Sequence, residues 1–251
     1  MILYSATDDY GTLRVVQKEH HTDLLFDEDP LAIQSRIDHR TPRVPSLEYI
    51  KSMCLCRSLV PRPNKILILG HGGGSLAKFY SEQFPKAHFD VVDVREELWK
   101  VSTDYFQYNP VQNTVFYVCD ALKFVEGRAA KGEEYDIVLV DLYIDGPANV
   151  MAKPELWDSV AKITAPLGFA AANVWRFDEF EKLHDLILDK VASLYNTVAR
   201  TNLVTNQCIL YLSHLDANVL DTPHLVGRTE YDTISTGVPL SRILRNTRIL
   251  K

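Results

Sequence analysis

Three aspartates and a run of glycines are the residues of this chain best suited to chemistry. Gly70-His71-Gly72-Gly73-Gly74-Ser75 follows directly on the apolar run Lys65-Ile66-Leu67-Ile68-Leu69. Glycines at such a place let the backbone turn sharply and come close to a ligand. Asp93 ends the next apolar run, about 20 residues beyond the loop, where a carboxylate can accept hydrogen bonds from both hydroxyls of a ribose. Asp120 follows Tyr117-Val118-Cys119, and Asp141 follows Ile137-Val138-Leu139-Val140. In an open α/β sheet the ligand crevice lies outside the carboxyl ends of the strands, so the loop and all three acids should converge on one cleft. The chemistry this suggests is a nucleoside site with one acid left over. Asp120 has a plainer reading as well, as the N-cap of a helix that starts at Ala121.

Two nucleotide classes fit less well. Lys78 does not complete a GxxxxGKS/T phosphate loop, which argues against nucleoside triphosphates. A nicotinamide dehydrogenase fits the glycines and Asp93, but Ser75 stands at the third glycine of GxGxxG and Asp120 and Asp141 go unused. An S-adenosyl ligand uses all three acids: Asp93 on the ribose, Asp120 on the adenine amino group, and Asp141 facing the reactive sulfonium, where an amine would attack.

Composition sets the outer limits. At 251 residues the chain has room for one α/β domain and a small appendage. Its formal net charge is −6 with no basic block, which argues against a nucleic-acid partner. The cysteines Cys54, Cys56, Cys119 and Cys208 lack metal or redox spacing, and reduced thiols suit a cytoplasmic protein. The eight histidines are scattered, so no metal site is expected. No basic segment followed by an apolar run opens the chain, and no apolar stretch is long enough to span a bilayer.

The elements that must position these residues are legible as patterns. Short strands at 1–4, 12–16 and 31–37, separated by turn signals, predict a small antiparallel sheet of two or three strands. Ser46 is placed to cap a helix over 47–59, and Pro61-Arg62-Pro63-Asn64 closes it. Strands are then expected at 66–69, 89–92, 114–118, 137–140, 169–174, 197–202 and 207–212. Helical patterns fall at 76–83, 96–106, 121–124, 154–164 and 177–195. Alternating strands and helices imply a mainly parallel sheet covered on both faces. The expected fold is α/β: a Rossmann-like, doubly wound, seven-stranded sheet of the S-adenosylmethionine-dependent methyltransferase type, with a small N-terminal antiparallel β domain. The expected divisions are 1–60, 61–215 and a polar, irregular extension at 216–251. Trp99, Tyr105, Phe106 and Tyr108 have helical spacing and read as core rather than interface.

The glycine loop, Asp93, Asp120, Asp141, Gln34 in Ile33-Gln34-Ser35 and the helix carrying Glu48 together resemble the polyamine aminopropyltransferase, or spermidine synthase, family over about residues 10–212. The Gly-x-Gly-Gly-Gly-Ser-Leu variant and Phe84-Pro85 resemble a divergent spermidine synthase-like branch that includes protein N-methyltransferases. The resemblance implies that Gln34, Gly70, Gly72, Gly73, Gly74, Asp93, Asp120 and Ala121 hold decarboxylated S-adenosylmethionine or S-adenosylmethionine. It implies Asp141, Tyr143 and Asp145 as the catalytic set, a small-molecule amine as acceptor, and a homodimer.

The sequence departs from the family on the amine side. Gly73 stands where the family signature has an aspartate. The DxxD pair becomes Asp141-Leu142-Tyr143-Ile144-Asp145, one residue longer. Ser46 and Leu203 stand where pocket tyrosines are usual. Three readings follow: aminopropyl transfer to an amine, N-methyl transfer from S-adenosylmethionine, and a non-catalytic nucleoside-binding or scaffold member. In the methyl reading Gln34, Arg36 and His71 are the candidates to meet the donor carboxylate, although His71 reads first as a loop-packing residue.

Overall fold

The computed structural model describes residues 1–26, 33–142, 150–175 and 181–251. The chain opens with β1 (Ile2–Asp8), β2 (Gly11–Gln17), β3 (His21–Phe26) and β4 (Ile33–Asp38), an antiparallel sheet in sequential order. That is one strand more than the pattern predicts. β3 escapes notice because it opens His21-Thr22-Asp23, which reads as polar. Thr22 and Asp23 are nonetheless buried, and Asp23 is neutralised by a bidentate pair from Arg36 at 2.6 and 2.8 Å.

The connecting segment is two short helices, α1 (Glu48–Met53) and α2 (Cys56–Leu59), rather than one over 47–59. Leu47 is the N-cap and offers no side-chain bond, while the buried Ser46 hydroxyl has no partner among the described residues. Ser46 is therefore not the cap.

The rest alternates as expected: β5 (Lys65–Leu69), α3 (Ser75–Gln83), β6 (His88–Asp93), α4 (Glu97–Tyr105), β7 (Thr114–Val118), α5 (Ala121–Ala130), β8 (Tyr135–Val140), α6 (Pro154–Ile163), β9 (Thr164–Trp175), α7 (Glu181–Leu194), β10 (Thr197–Asn202) and β11 (Gln207–Ser213). Then come α8 (Pro223–Thr236), α9 (Leu240–Asn246) and the two-residue β12 (Arg248–Ile249). The tail is thus ordered rather than irregular. Thr222 caps α8 by accepting from the Leu225 N–H, Pro223 opens the helix, and Gly237 ends it in the left-handed region.

The large sheet runs β12-β10-β11-β9-β8-β5-β6-β7, eight strands rather than seven. The extra strand is β12, antiparallel to β10, too short to leave a period in the sequence. β9, β8, β5, β6 and β7 are parallel, and β11 and β10 close the sheet as an antiparallel pair. The strand order reverses between β5 and β8. Their carboxyl ends therefore flank the topological switch point, where an open α/β sheet leaves its crevice.

Strand alternation sends side chains to two cores. Ile66, Ile68, Val91 and Leu139 pack with α1, α2, α3, α8 and α9. Leu67, Leu69, Val138 and Val140 pack with α5, α6 and α7. A third cluster joins Leu13, Val15, Leu24 and Ile37 of the small sheet to Leu98 and Val101 of α4 and to Phe106. This contact holds β4 over the crevice. Replacing Phe106, 2% exposed, with Ala should cost about 3 kcal/mol in urea unfolding, the usual scale for an excised core ring. Hydrogen exchange should accelerate first in β1–β4.

Candidate active site

The site starts from a backbone contact. Gly70 has φ +90°, and a Cβ built there would lie 2.0 Å from the carbonyl oxygen of Asp141. Only glycine permits so close a crossing. It is fixed by the Gly70 N–H donating to Val92 O at 2.9 Å and the Asp141 N–H donating to Leu69 O at 2.8 Å. The glycine loop and the end of β8 are thereby held edge to edge.

Asp93 ties the neighbouring turns together. Its carboxylate accepts the His71 N–H at 2.7 Å and the Arg95 N–H at 3.0 Å. Burial raises its pKa, and these backbone donors work against that rise. The Arg95 side chain pairs with Asp8 at 2.9 Å, donates to the Gly11 carbonyl at 2.9 Å and lies over the Phe26 ring.

Position 73 is closed from the other side. The Ser35 hydroxyl accepts the Gly73 N–H at 2.8 Å, and a Cβ at 73 would stand 2.7 Å from Ser35 Cβ and 3.0 Å from the Phe106 ring. β4 therefore occupies the space that the family's usual loop aspartate would need.

A cavity of about 580 Å³ opens along this seam. It is lined by Gln34, Gly70, Gly72, Asp93, Asp120, Ala121 and Asp141, which the sequence nominates, and by Ser35, Tyr49, Arg95 and Cys119, which it does not. Gly73 and Gly74 stand outside the lining. Gly73 faces a small cleft beside Arg36 and Lys78 instead. Tyr143 and Asp145 lie outside the described residues.

Asp120 fulfils its plainer reading: its Oδ1 accepts the Lys123 N–H at 2.9 Å and caps α5, while the residue still borders the cavity. Arg36 is committed to Asp23 and does not line the cavity, so it is no partner for a donor carboxylate there. His71 borders the cavity, but its imidazole is buried among Trp99, Tyr108 and Phe116, with Nε2 at 2.8 Å from the Ser102 hydroxyl. Burial lowers its pKa to about 3, so the ring is neutral and packs the loop. Phe106 and Tyr108 are core, as their spacing predicts. Glu48 pairs with Lys51 at 2.8 Å and does not line the cavity.

Asp141 is the least ordinary acid of the site. Burial pushes its pKa up to about 6, against the hydrogen bonds it accepts from Asn173 and Tyr49, with the nearby Asp93 charge adding to the rise. Asn173 Nδ2 stands 3.0 Å from its Oδ1. The sequence gives no signal for Asn173, a polar residue within the apolar strand β9. Tyr49 leaves only the trace that it follows Glu48.

The Asp141 shift makes a stability prediction. A carboxyl raised from about 4 when unfolded to about 6 when folded binds its proton more tightly in the folded state. Its stabilising contribution is full below pH ~4 and is lost as pH rises through ~6. Asp141→Asn should therefore gain thermal stability relative to the parent chain above pH ~7, and this advantage should shrink steadily as the pH is lowered to ~4. Melting temperatures across that range check it.

No protein-family model matches the chain. The polyamine aminopropyltransferase of Vibrio vulnificus is 29% identical over 127 residues, 50% of this chain and 41% of that protein. The human eEF1A lysine and N-terminal methyltransferase is 29% identical over 99 residues, 38% of this chain and 14% of that protein. The matched segments thus span well under half the length of these relatives. Among solved structures, a probable spermidine synthase from Corynebacterium glutamicum superposes with a TM-score of 0.75 at 16% identity, covering 99% of this chain and 89% of that one. Human methyltransferase-like protein 13 in complex with SAH gives 0.65 at 24% identity, covering 81% and 95%. At these identities the superpositions establish the fold. The sequence resemblance is to polyamine aminopropyltransferases, on a branch that also runs to protein methyltransferases.

Proposed function

We propose that the chain is a transferase that holds an S-adenosyl donor in the cavity between β5 and β8 and passes a group from its sulfur to an amine nitrogen. The observation that carries this reading is the meeting, in one cavity, of the glycine loop, Asp93, Asp120 and the raised acid Asp141. In it Gly70 and Gly72 approach the donor, Asp93 accepts the ribose hydroxyls, and Asp120 and Ala121 border the adenine. Gln34 lies on the donor's tail side.

The reaction is a substitution at carbon. The amine lone pair forms a C–N bond while the C–S bond breaks, and its electron pair neutralises the sulfonium. The donor is already activated, so the protein mainly aligns the reactants and excludes water. An alkylamine is mostly protonated near pH 7, having a pKa of about 10. Asp141 takes the surplus nitrogen proton as general base. A carboxyl titrating at about 6 is ionised at neutral pH and a better base than an ordinary one. With decarboxylated S-adenosylmethionine the aminopropyl group moves and 5′-methylthioadenosine leaves. This is our first assignment, supported by the likeness to an aminopropyltransferase.

The closure at position 73 favours a second reading. With Ser35 filling the place of the loop acid, the donor tail meets glycine, serine and amide groups rather than a second carboxylate. That lining suits the zwitterionic tail of S-adenosylmethionine, from which a methyl group would move. The likeness to a methyltransferase agrees.

The test is turnover with each donor against putrescine, other small amines and lysine peptides. In the active pairing Asp141→Asn should lower kcat at least 100-fold while donor affinity stays within about three-fold. Asp93→Ala should weaken donor binding at least ten-fold. Full turnover by Asp141→Asn would remove the acid from the mechanism, and calorimetric silence with both donors would make the chain a non-catalytic relative.

A further inference from the structure

Tyr49 has no part in the mechanism above, yet its hydroxyl sits where two elements meet the reacting acid. It lies on α1, half-buried, and borders the cavity. Its hydroxyl stands 3.1 Å from the Gln34 carbonyl of β4 and also lies within hydrogen-bonding reach of the Asp141 carboxylate at the end of β8. A phenol has one proton to donate, so these two acceptors compete for it.

The remaining groups around Asp141 are few. Asn173 on β9 donates to it, and Asp93 at the end of β6 faces it as a like charge. Among the described residues no cation acts on Asp141. Burial and the Asp93 charge both favour the protonated form, while the two neutral donors favour the ionised one. The Tyr49 phenol is itself held protonated by burial and by the Asp141 charge, and so stays a donor throughout the working pH range.

We infer that Tyr49 is the positioning residue of the base: its hydroxyl turns from the Gln34 carbonyl to the Asp141 carboxylate when that acid ionises, and holds it as a proton acceptor aimed into the cavity. The inference rests on reading Asp141 as the base. It gives α1 a task in the site that neither the glycine loop nor the nucleotide acids can perform. It also links the state of the acid to the β4 wall that carries Gln34 and Ser35.

The experiment follows the titration of Asp141 by NMR in ligand-free protein carrying labelled aspartate carboxyl carbons, the signal being assigned by its loss in Asp141→Asn. Tyr49→Phe keeps the ring and removes the donor, and should move the midpoint up by about one pH unit. A ring-fluorinated tyrosine at position 49 keeps the bond and strengthens the donor, and should move the midpoint down. It remains decisive if the Phe variant folds poorly. The acid limb of kcat/KM should shift in the same directions, a response that loss of packing alone would not produce. A midpoint unmoved by both changes would overturn the inference. The titration needs no substrate, so a chain that transferred nothing would refute the proposed reaction while leaving the Tyr49–Asp141 coupling measurable.

Discussion

Everything at this site depends on two backbones crossing where no side chain can stand. With φ +90° and the Asp141 carbonyl oxygen 2.0 Å from any Cβ, Gly70 lets the end of β5 lie against the end of β8. These strands flank the point where the sheet order reverses, so the contact turns a general property of open α/β sheets into a particular placement. The loop that would cover a donor and the acid that would receive a proton become one rigid unit. Asp93 extends that unit to the third strand by accepting the backbone N–H groups of His71 and Arg95.

The small N-terminal sheet completes the cavity and also limits it. It is held by hydrophobic packing on α4, which presents Gln34 and Ser35 as a wall over the loop. The same approach puts Ser35 in the space a side chain at position 73 would occupy. Position 73 and β4 are therefore coupled: an acid cannot be restored to the loop without moving the wall. The nucleotide side of the family pattern is kept and the amine side is rebuilt, and one packing contact links the two facts.

The parallel strands and the three acids at their ends were legible because burial on both faces leaves continuous apolar runs, and each run ends where its acid begins. Tyr49 and Asn173 were not legible. Each is a single polar residue in an apolar stretch, and its partner lies far away in sequence, so no local period marks it. β3 was hidden for a related reason: Asp23 is buried only because Arg36, on the next strand, neutralises it. β12 is too short to have a period. Asp120 shows the converse, since a helix cap and a ligand contact use the same residue type at the same strand end, and the structure finds it capping α5 at the edge of the cavity.

The central claim is that this cavity is an S-adenosyl site whose reactive end faces Asp141, and a crystal structure with S-adenosylhomocysteine tests it most directly. The account predicts the ribose hydroxyls on Asp93, the adenine beside Asp120 and Ala121, and the sulfur on the side of the cavity formed by Gly70, Tyr49 and Asp141. A nucleoside bound elsewhere, or bound here with its sulfur turned away from Asp141, would contradict it.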